Sequence, residues 1–549
     1  MTSVMARRSI TSLRDTLSDR GLAALLALGI AAVGLLVFFD LGPPLAFNDD
    51  WVYAWAVRQL VAGHGLHLFP EQSVNALVGI VWAAAVTFGH TDQRLLRLSA
   101  LPFVGLLVWS VWWLARRLGA DPFWAAVASG GLLFQPVFLG VSTSFMTEPF
   151  YLGLLMLAAA SGVNWLTTGR GLALTVLLAG LATLERPNGI GVAIAMTIAF
   201  LLIRRKVVDK RDKAALVAVL ALSVLALAFP RLIGLQTQMQ TLRINQLPNL
   251  DGLAVSIAYA PLLVGLLLIP FLGALFKKPE GRSRSALMLL LWFASGAALL
   301  FCLALLIATS FNVPGNMLGA QGLNPRTIRT GPKPELFGGL ILTIEALAMI
   351  TWLRAGVVHH RMWWPREHDP ARVFLVVLGL VELVTLAPSS SFDRNYLSVV
   401  APLLPVVAAY VSRIGATAAA RNWAITSCLA GVLLYAVGQQ DYQAWQAARD
   451  EAARQAYGMA GVLGVDAGYE ANGTYAEIPR FEQGHGLLGQ LTGPLGDGLP
   501  SIVGPAHPRL VLRFARYDDA RPGVQYRSLA SGKIIITERG DTASYKAPG

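Results

Sequence analysis

Long apolar runs alternate with short polar segments from residue 21 to residue 437. The runs cover roughly 21–39, 97–115, 122–140, 150–167, 171–184, 190–203, 214–230, 255–276, 285–309, 336–354, 373–387, 397–411 and 423–437. An α-helix needs about 20 apolar residues to cross the hydrocarbon, so the pattern predicts about thirteen transmembrane helices. Two runs, 171–184 and 190–203, are short for a full crossing and read equally as one interrupted element. A further stretch, 73–90, is ambiguous. Basic segments decide the parity, because cytoplasmic loops carry the excess of Lys and Arg. Arg7, Arg8, Arg14 and Arg20 put the N-terminus inside, and RRKVVDKRDK (204–213) and KKPEGRSR (277–284) are the next such signals. If 73–90 crossed, 204–213 would lie outside. If it forms interfacial helices in the first outer loop, the signs agree, with the N-terminus cytoplasmic and the C-terminus outside.

After about residue 438 the pattern changes. DYQAWQAARDEAARQAYGMAG has helical spacing, while PRLVLRFARY (508–517) and GKIIITER (532–539) read as strands between Gly/Pro-rich turns. The expected architecture is mostly α: a polytopic membrane part over 1–438 and a small extracytoplasmic α/β domain over 439–549.

Composition supports this division. The chain of 549 residues is 55% hydrophobic and 14% charged, with a mean hydropathy of +0.56, more apolar surface than a soluble domain can bury. A formal net charge of +12 raises the question of nucleic acid. The basic residues, however, lie mainly between apolar runs, so topology explains them and no nucleic-acid partner is expected. Cys302 and Cys428 both fall inside apolar runs, which argues against a disulfide framework. The basic N-terminus precedes an apolar run without a clean small-residue cleavage site, the pattern of an uncleaved first span.

The expected topology gathers distant polar motifs on one face: NDDW (48–51), FMTEP (145–149), LERPNG (184–189), the loop 310–335 and SFDRNY (391–396). Asp49 and Asp50 stand before the helical pattern WVYAWAVRQLVAGHG, where Asn48 or Asp49 suits an N-cap. A carboxylate at the membrane surface also suits a general base. Glu148 reads either as a solvated acid at a helix start or as an oxygen ligand for a divalent cation. Arg186 and Arg394 can pair with their neighbours Glu185 and Asp393. Arginine near hydrocarbon is costly, however, and its fork matches phosphate, so both are candidate phosphate ligands. Arg326, Arg329 and Lys333 make the loop 310–335 basic against the positive-inside trend, which invites an anionic ligand and a role as a mobile lid. Trp51, Tyr53 and Trp55 suit interfacial anchoring or a substrate pocket. His64 and His67 are spaced i, i+3 but make a poor case for zinc.

These segments together resemble the GT-C superfamily of polytopic membrane glycosyltransferases. They are most similar to the bacterial relatives of the protein O-mannosyltransferases and lipid A aminoarabinose transferases (glycosyltransferase family 39-like). The resemblance rests on Asp49, Asp50 and Tyr53, then on RLLRLSALPFVGLL (94–107), FMTEPFYLGLLMLA (145–158), LATLERPNGIGV (181–192), DRNYLSVVAPLLP (393–405) and VDAGYEANGTY (465–475). It departs from the family in having Asp-Asp where Asp-Glu is usual. The Asp-x-x-x-Tyr spacing onto Tyr53 favours Asp49 as the base, with Asp50 in support. The resemblance implies a polyprenyl-phosphate-linked sugar donor and inversion at the anomeric carbon. It implies a lipid, polysaccharide or protein acceptor outside a bacterial inner membrane. Within it, Arg186, Arg394, Lys333, Arg326 and Arg329 are candidate donor-phosphate ligands. Trp51, Tyr53, His64 and Tyr396 are candidate substrate contacts, and Glu148 a candidate ligand for Mg or Mn. The competing expectations are a secondary transporter built around Glu345 and Glu382, and a non-catalytic envelope scaffold.

Overall fold

The computed structural model describes residues 47–538 apart from 71, 73, 204–209, 236, 238–249, 278–316, 320, 324–325, 327, 329–330, 334, 360–361, 364–368, 387–391, 484–507, 517 and 528–531. The expected spans 21–39 and 285–309, and Arg329, lie outside the described residues. Among the described residues, five helices are long and apolar enough to cross a membrane, and two bent pairs bring the number to seven. The chain is a multi-pass membrane protein.

Local sequence accounts for the helix limits. Asp121 caps the Pro122–Leu133 helix by accepting from the Trp124 amide at 2.9 Å, and Asp369 caps Pro370–Thr385 by accepting from the Ala371 amide at 3.1 Å. Each is followed by a proline at the first helical position, where a missing N–H costs nothing. The Thr147–Thr168 helix ends at Gly169, in the left-handed region at φ 75°. Close helix packing uses small residues, as expected in lipid. Gly153 of that helix lies against the Phe103 carbonyl of Leu101–Arg117, where an added Cβ would come within 2.6 Å.

Proline breaks two of the expected spans. The run 122–140 forms Pro122–Leu133 and Pro136–Ser142 at 63°, and the run 397–411 forms Asp393–Val400 and Leu404–Ile414 at 57°. Pro136 lacks the N–H needed to continue the first ladder and forces Gln135 into an extended conformation, ψ 128°. The runs 171–184 and 190–203 are separate helices, Leu172–Glu185 and Gly191–Ile203, joined through the extended Arg186 and a 3-10 turn at Pro187–Ile190. The ambiguous stretch 73–90 carries the ten-residue helix Leu77–Val86. At 1.5 Å per residue that is about 15 Å, half the hydrocarbon thickness.

No helix break marks position 438. One helix of 43 residues, Ala418–Ala460, runs through it. The first half exposes Ile425, Leu429 and Leu433, whereas Asp441, Tyr442, Trp445 and Arg449 are buried. A four-stranded sheet follows, in the order β3 (Val465–Asp466), β4 (Leu510–Ala515), β6 (Gly532–Glu538), β5 (Gly523–Tyr526). β3 pairs parallel with β4 and the other pairs are antiparallel. Phe514 of β4 stacks on Trp445 with ring centroids 6.3 Å apart, which seats the sheet on the helix.

The described part of 310–335 is held by the rest of the chain. Strands β1 (Leu318–Gly319) and β2 (Gly322–Leu323) pair antiparallel. Asp393 accepts from the amides of Met317 and Leu318, at 3.0 and 2.8 Å. Leu323 packs against Gly438, and Gly331 lies against the Phe514 backbone. These anchors replace the expected lid with a strap between the turn at 393–396 and the carboxyl-terminal sheet.

Candidate active site

Helix ends bring the acids and arginines together. The chain turns through Asn48, whose φ of 48° is in the left-handed region that asparagine tolerates. Asp49 then takes the N-cap position of the Asp50–Val61 helix without capping it through its side chain. The carboxylate is thereby left for other partners. Oδ2 accepts from Arg394 Nη2 at 3.3 Å, and Oδ1 accepts from the Tyr469 hydroxyl at 3.0 Å. The Asp49 side chain is 20% exposed.

Asp50 turns the other way. It is fully buried, and its Oδ2 accepts from Arg97 Nε at 3.2 Å and from Gln93 Nε2 at 3.1 Å. Burial pushes its carboxyl up to about 6 from 3.8, and Arg97 and Gln93 limit the rise. The adjacent acids therefore have different environments: one is fully buried and the other is part-exposed.

Glu148, in the first turn of Thr147–Thr168, is buried and ion-paired with both arginines. Its Oε1 lies 3.2 Å from Arg186 Nη2 and 3.2 Å from Arg394 Nε. The result is a chain of alternating charge, Asp49–Arg394–Glu148–Arg186, in which Arg186 retains 17% exposure. The neighbouring acids also turn their carboxylates to backbone amides. The Glu185 carboxylate accepts from the Gly79 amide at 2.8 Å. Asp393 is directed to backbone amides at 317, 318 and 394. Arg186 also lies over the Tyr151 ring, 5.8 Å from its centroid, and Arg394 over Phe392 at 5.3 Å. Tyr53 is buried beside the cluster. Burial, followed by the Asp49 and Glu148 charges, raises its hydroxyl well above the ordinary phenol value.

Other expected site residues lie elsewhere. Arg326 is buried, ion-paired with Asp441, and donates to the Tyr526 hydroxyl at 3.4 Å. Lys333 donates to the Arg326 carbonyl at 3.4 Å, and burial together with Arg326 lowers its ammonium below the ordinary value. These contacts tie the strap to the Ala418–Ala460 helix and to β5, so the basic residues serve packing here. Trp51 is buried against Phe69 and Tyr469, with ring centroids at 5.2 and 5.8 Å, and forms part of the core. His64 is exposed, with Nδ1 2.8 Å from Gln59 Oε1. Tyr396 is fully buried in the Asp393–Tyr396 turn. Glu148 faces two guanidinium groups, a setting that does not fit a divalent cation. Among the described residues no group of three or more His, Cys, Asp or Glu is gathered for a metal. Glu382, one of the two acids of the transporter expectation, accepts from the Tyr151 hydroxyl at 2.8 Å.

Sequence reasoning missed Arg97, Gln93 and Tyr469. Arg97 carries a weak signal, as a cation one turn before a long apolar helix. Tyr469 has no local signal.

An apolar cavity of about 270 Å³ is lined by Phe134, Leu266, Leu318, Ile344, Leu347 and Trp423, among others. A smaller apolar recess shares Leu266, Leu318 and Ile344 with it and reaches Asp393, the neighbour of Arg394.

No protein-family model matches the sequence, and no curated protein matches it. Among solved structures, the chain is similar to ArnT from Cupriavidus metallidurans bound to undecaprenyl phosphate, at 12% identity and a TM-score of 0.48, covering 93% of this chain and 97% of that one. The apo state of the same protein gives 16% identity and a TM-score of 0.38, covering 93% and 98%. The archaeal oligosaccharyltransferase AglB from Archaeoglobus fulgidus, in complex with an inhibitory peptide and a dolichol-phosphate, gives 15% identity and a TM-score of 0.40, covering 76% of this chain and 56% of that one.

Proposed function

We propose that the chain is a membrane glycosyltransferase of the GT-C type. In this reading it moves a sugar from a polyprenyl-phosphate donor to an acceptor on the outer face of a bacterial inner membrane. The observation that carries the reading is the Asp49–Arg394–Glu148–Arg186 chain, in which the buried pair Arg394 and Glu148 links a part-exposed carboxylate to a part-exposed guanidinium.

The chemistry follows from those groups. Arg394 and Arg186 bind the donor phosphate, Arg186 from its exposed side. Glu148 holds the two forks apart and offsets their mutual repulsion. The acceptor O–H donates to Asp49. Its oxygen forms a bond to the anomeric carbon as the bond from that carbon to the phosphate oxygen breaks on the opposite face. The electron pair leaves with the phosphate, the acceptor proton passes to Asp49, and the configuration inverts. A phosphate needs little protonation to depart, so one carboxylate base suffices and the second carboxyl of glycosidases is not required. Stabilising the departing charge is the larger task, and it falls to the arginines. Tyr53 keeps its proton and lines the sugar side. The prenyl chain lies along the apolar recess that reaches Asp393 and the cavity that shares Leu266, Leu318 and Ile344 with it. Asp50 is the supporting acid: with Arg97 it fixes the turn that carries Asp49.

The test uses the full-length protein in lipid nanodiscs, a set of synthetic undecaprenyl-phosphate hexoses and pentoses, and envelope lipids as acceptors. Release of undecaprenyl phosphate is expected from at least one donor, and Asp49→Asn is expected to abolish it while undecaprenyl phosphate still binds. Near-normal turnover by Asp49→Asn refutes the base assignment. No release from any donor by the wild type, together with solute uptake into proteoliposomes, refutes the transferase reading.

A further inference from the structure

Asp49 is held from two parts of the chain that are far apart in sequence. Arg394 faces Oδ2 from a separation of 345 residues, and Tyr469 donates to Oδ1 from a separation of 420. The terminal torsion of an aspartate is broad, so a single partner leaves the carboxylate plane loosely defined. Donors on both oxygens fix it.

Tyr469 is itself anchored. Its ring meets Trp51, two residues along the chain from Asp49, edge-on at 5.8 Å and 65°. The next residue, Glu470, is buried and accepts from Arg449 Nη1 at 2.7 Å. Asn472 donates to Asp466 Oδ1 at 2.8 Å and accepts from the Ala467 amide at 2.9 Å. Gly473 lies so close to the Trp51 indole that a Cβ there would overlap the ring. Farther along, Glu482 accepts from Trp55 Nε1 at 3.0 Å. The segment 465–482 is therefore fastened to the Asp50–Val61 helix at the phenol and after it, through Gly473 and Glu482, and to the Ala418–Ala460 helix through Glu470.

We propose that Tyr469 is a positioning residue for Asp49, so that the carboxyl-terminal segment completes the catalytic site. The inference rests on the transferase reading given above and extends it. An ionised carboxylate oxygen offers two lone-pair sites. Tyr469 takes one on Oδ1 and leaves the other for the acceptor hydroxyl, and the phenol keeps its own proton throughout the step. Donor phosphate is bound on the Arg394 and Arg186 side, away from this contact, so the tyrosine acts on the chemical step and leaves donor binding alone.

Tyr469→Phe in the full-length chain removes the hydroxyl and keeps the ring against Trp51. Three quantities are read in nanodiscs: the affinity for undecaprenyl phosphate, kcat and KM for the undecaprenyl-phosphate sugar that the wild type uses, and the rate at which a water-soluble carbodiimide labels Asp49, followed by peptide mass spectrometry. Undecaprenyl phosphate affinity and donor KM are expected to stay near wild type, while kcat falls about tenfold for the loss of one hydrogen bond to a charged group. Asp49 labelling rises and Asp50 stays unlabelled. Wild-type kcat in Tyr469→Phe, or a loss confined to donor KM, overturns the inference even where Asp49→Asn is inactive, and in that case the transferase reading stands. A wild type that releases no undecaprenyl phosphate sinks the transferase reading first. Unchanged Asp49 labelling sinks the positioning contact by itself.

Discussion

Arg394→Lys separates charge from shape at the centre of the proposed site. Arg394 reaches Asp49 through Nη2 at 3.3 Å and Glu148 through Nε at 3.2 Å. A lysine ammonium is a single point and can keep one of these partners at that distance. At an effective dielectric of about 20, a unit pair at such a separation is worth roughly 5 kcal/mol before desolvation. Part of that is regained on the Asp49 side, because Asp49 is 20% exposed and keeps the Tyr469 hydroxyl. Glu148 keeps Arg186. The fold should therefore tolerate lysine. Phosphate binding should not, because one charge-assisted hydrogen bond of the fork, about 1.5–3 kcal/mol, is lost. Titration of the nanodisc-embedded protein with radiolabelled undecaprenyl phosphate should show a Kd raised by about 10- to 100-fold. Arg394→Gln should raise it further and lower the thermal midpoint, since Asp49 and Glu148 then face one guanidinium fewer. Wild-type Kd and kcat in Arg394→Lys would refute the phosphate role and leave Arg394 as a structural bridge.

Two further outcomes test the surroundings. The Asp50 carboxyl is raised from 3.8 to about 6 in the folded chain, so its proton contributes stability that is fully present below 3.8 and lost as pH rises through about 6. Asp50→Asn should remove that part of the fall in thermal midpoint between pH 4 and 6, and an identical slope in the variant would refute the assignment. Gly473→Ala places a methyl inside the Trp51 indole although the glycine backbone, at φ −59°, suits any residue. Overpacking of this kind costs about 1–3 kcal/mol. The midpoint should fall by several degrees, and an unchanged midpoint would show that Trp51 can move aside.

What sequence could reveal depended on the range of the contacts. Hydropathy located the helices, and basic segments gave a parity that gathered Asp49, Glu148, Arg186 and Arg394 on one side before any geometry was known. Reading which acid serves which arginine needed the fold. The neighbours Glu185 and Asp393 accept from backbone amides at Gly79, Met317 and Leu318, and no local spacing encodes that. Arg326 carried the same motif-level signal as Arg394, a cation in an outer-loop pattern, yet Asp441 neutralises it from 115 residues away. Tyr469 stands in VDAGYEANGTY, a stretch that carries the resemblance and no chemical signal of its own, because a contact spanning 420 residues leaves no periodicity to read. The boundary expected at 438 followed a real drop in hydropathy. A helix can pass from lipid to protein surroundings without a break, and Ala418–Ala460 does so.

That helix carries a mechanical consequence. Its 43 residues make a rod of about 65 Å, roughly twice the hydrocarbon thickness. Its lower half faces outward with leucines, and its upper half is clamped by Arg449 to Glu470, the residue beside Tyr469. The Arg449–Glu470 ion pair joins this rod, one residue from the phenol that touches Asp49, to the proposed site. In the transferase reading, turnover is therefore expected to vary with the acyl-chain length of the surrounding bilayer, and equal kcat in short-chain and long-chain nanodiscs would refute that coupling.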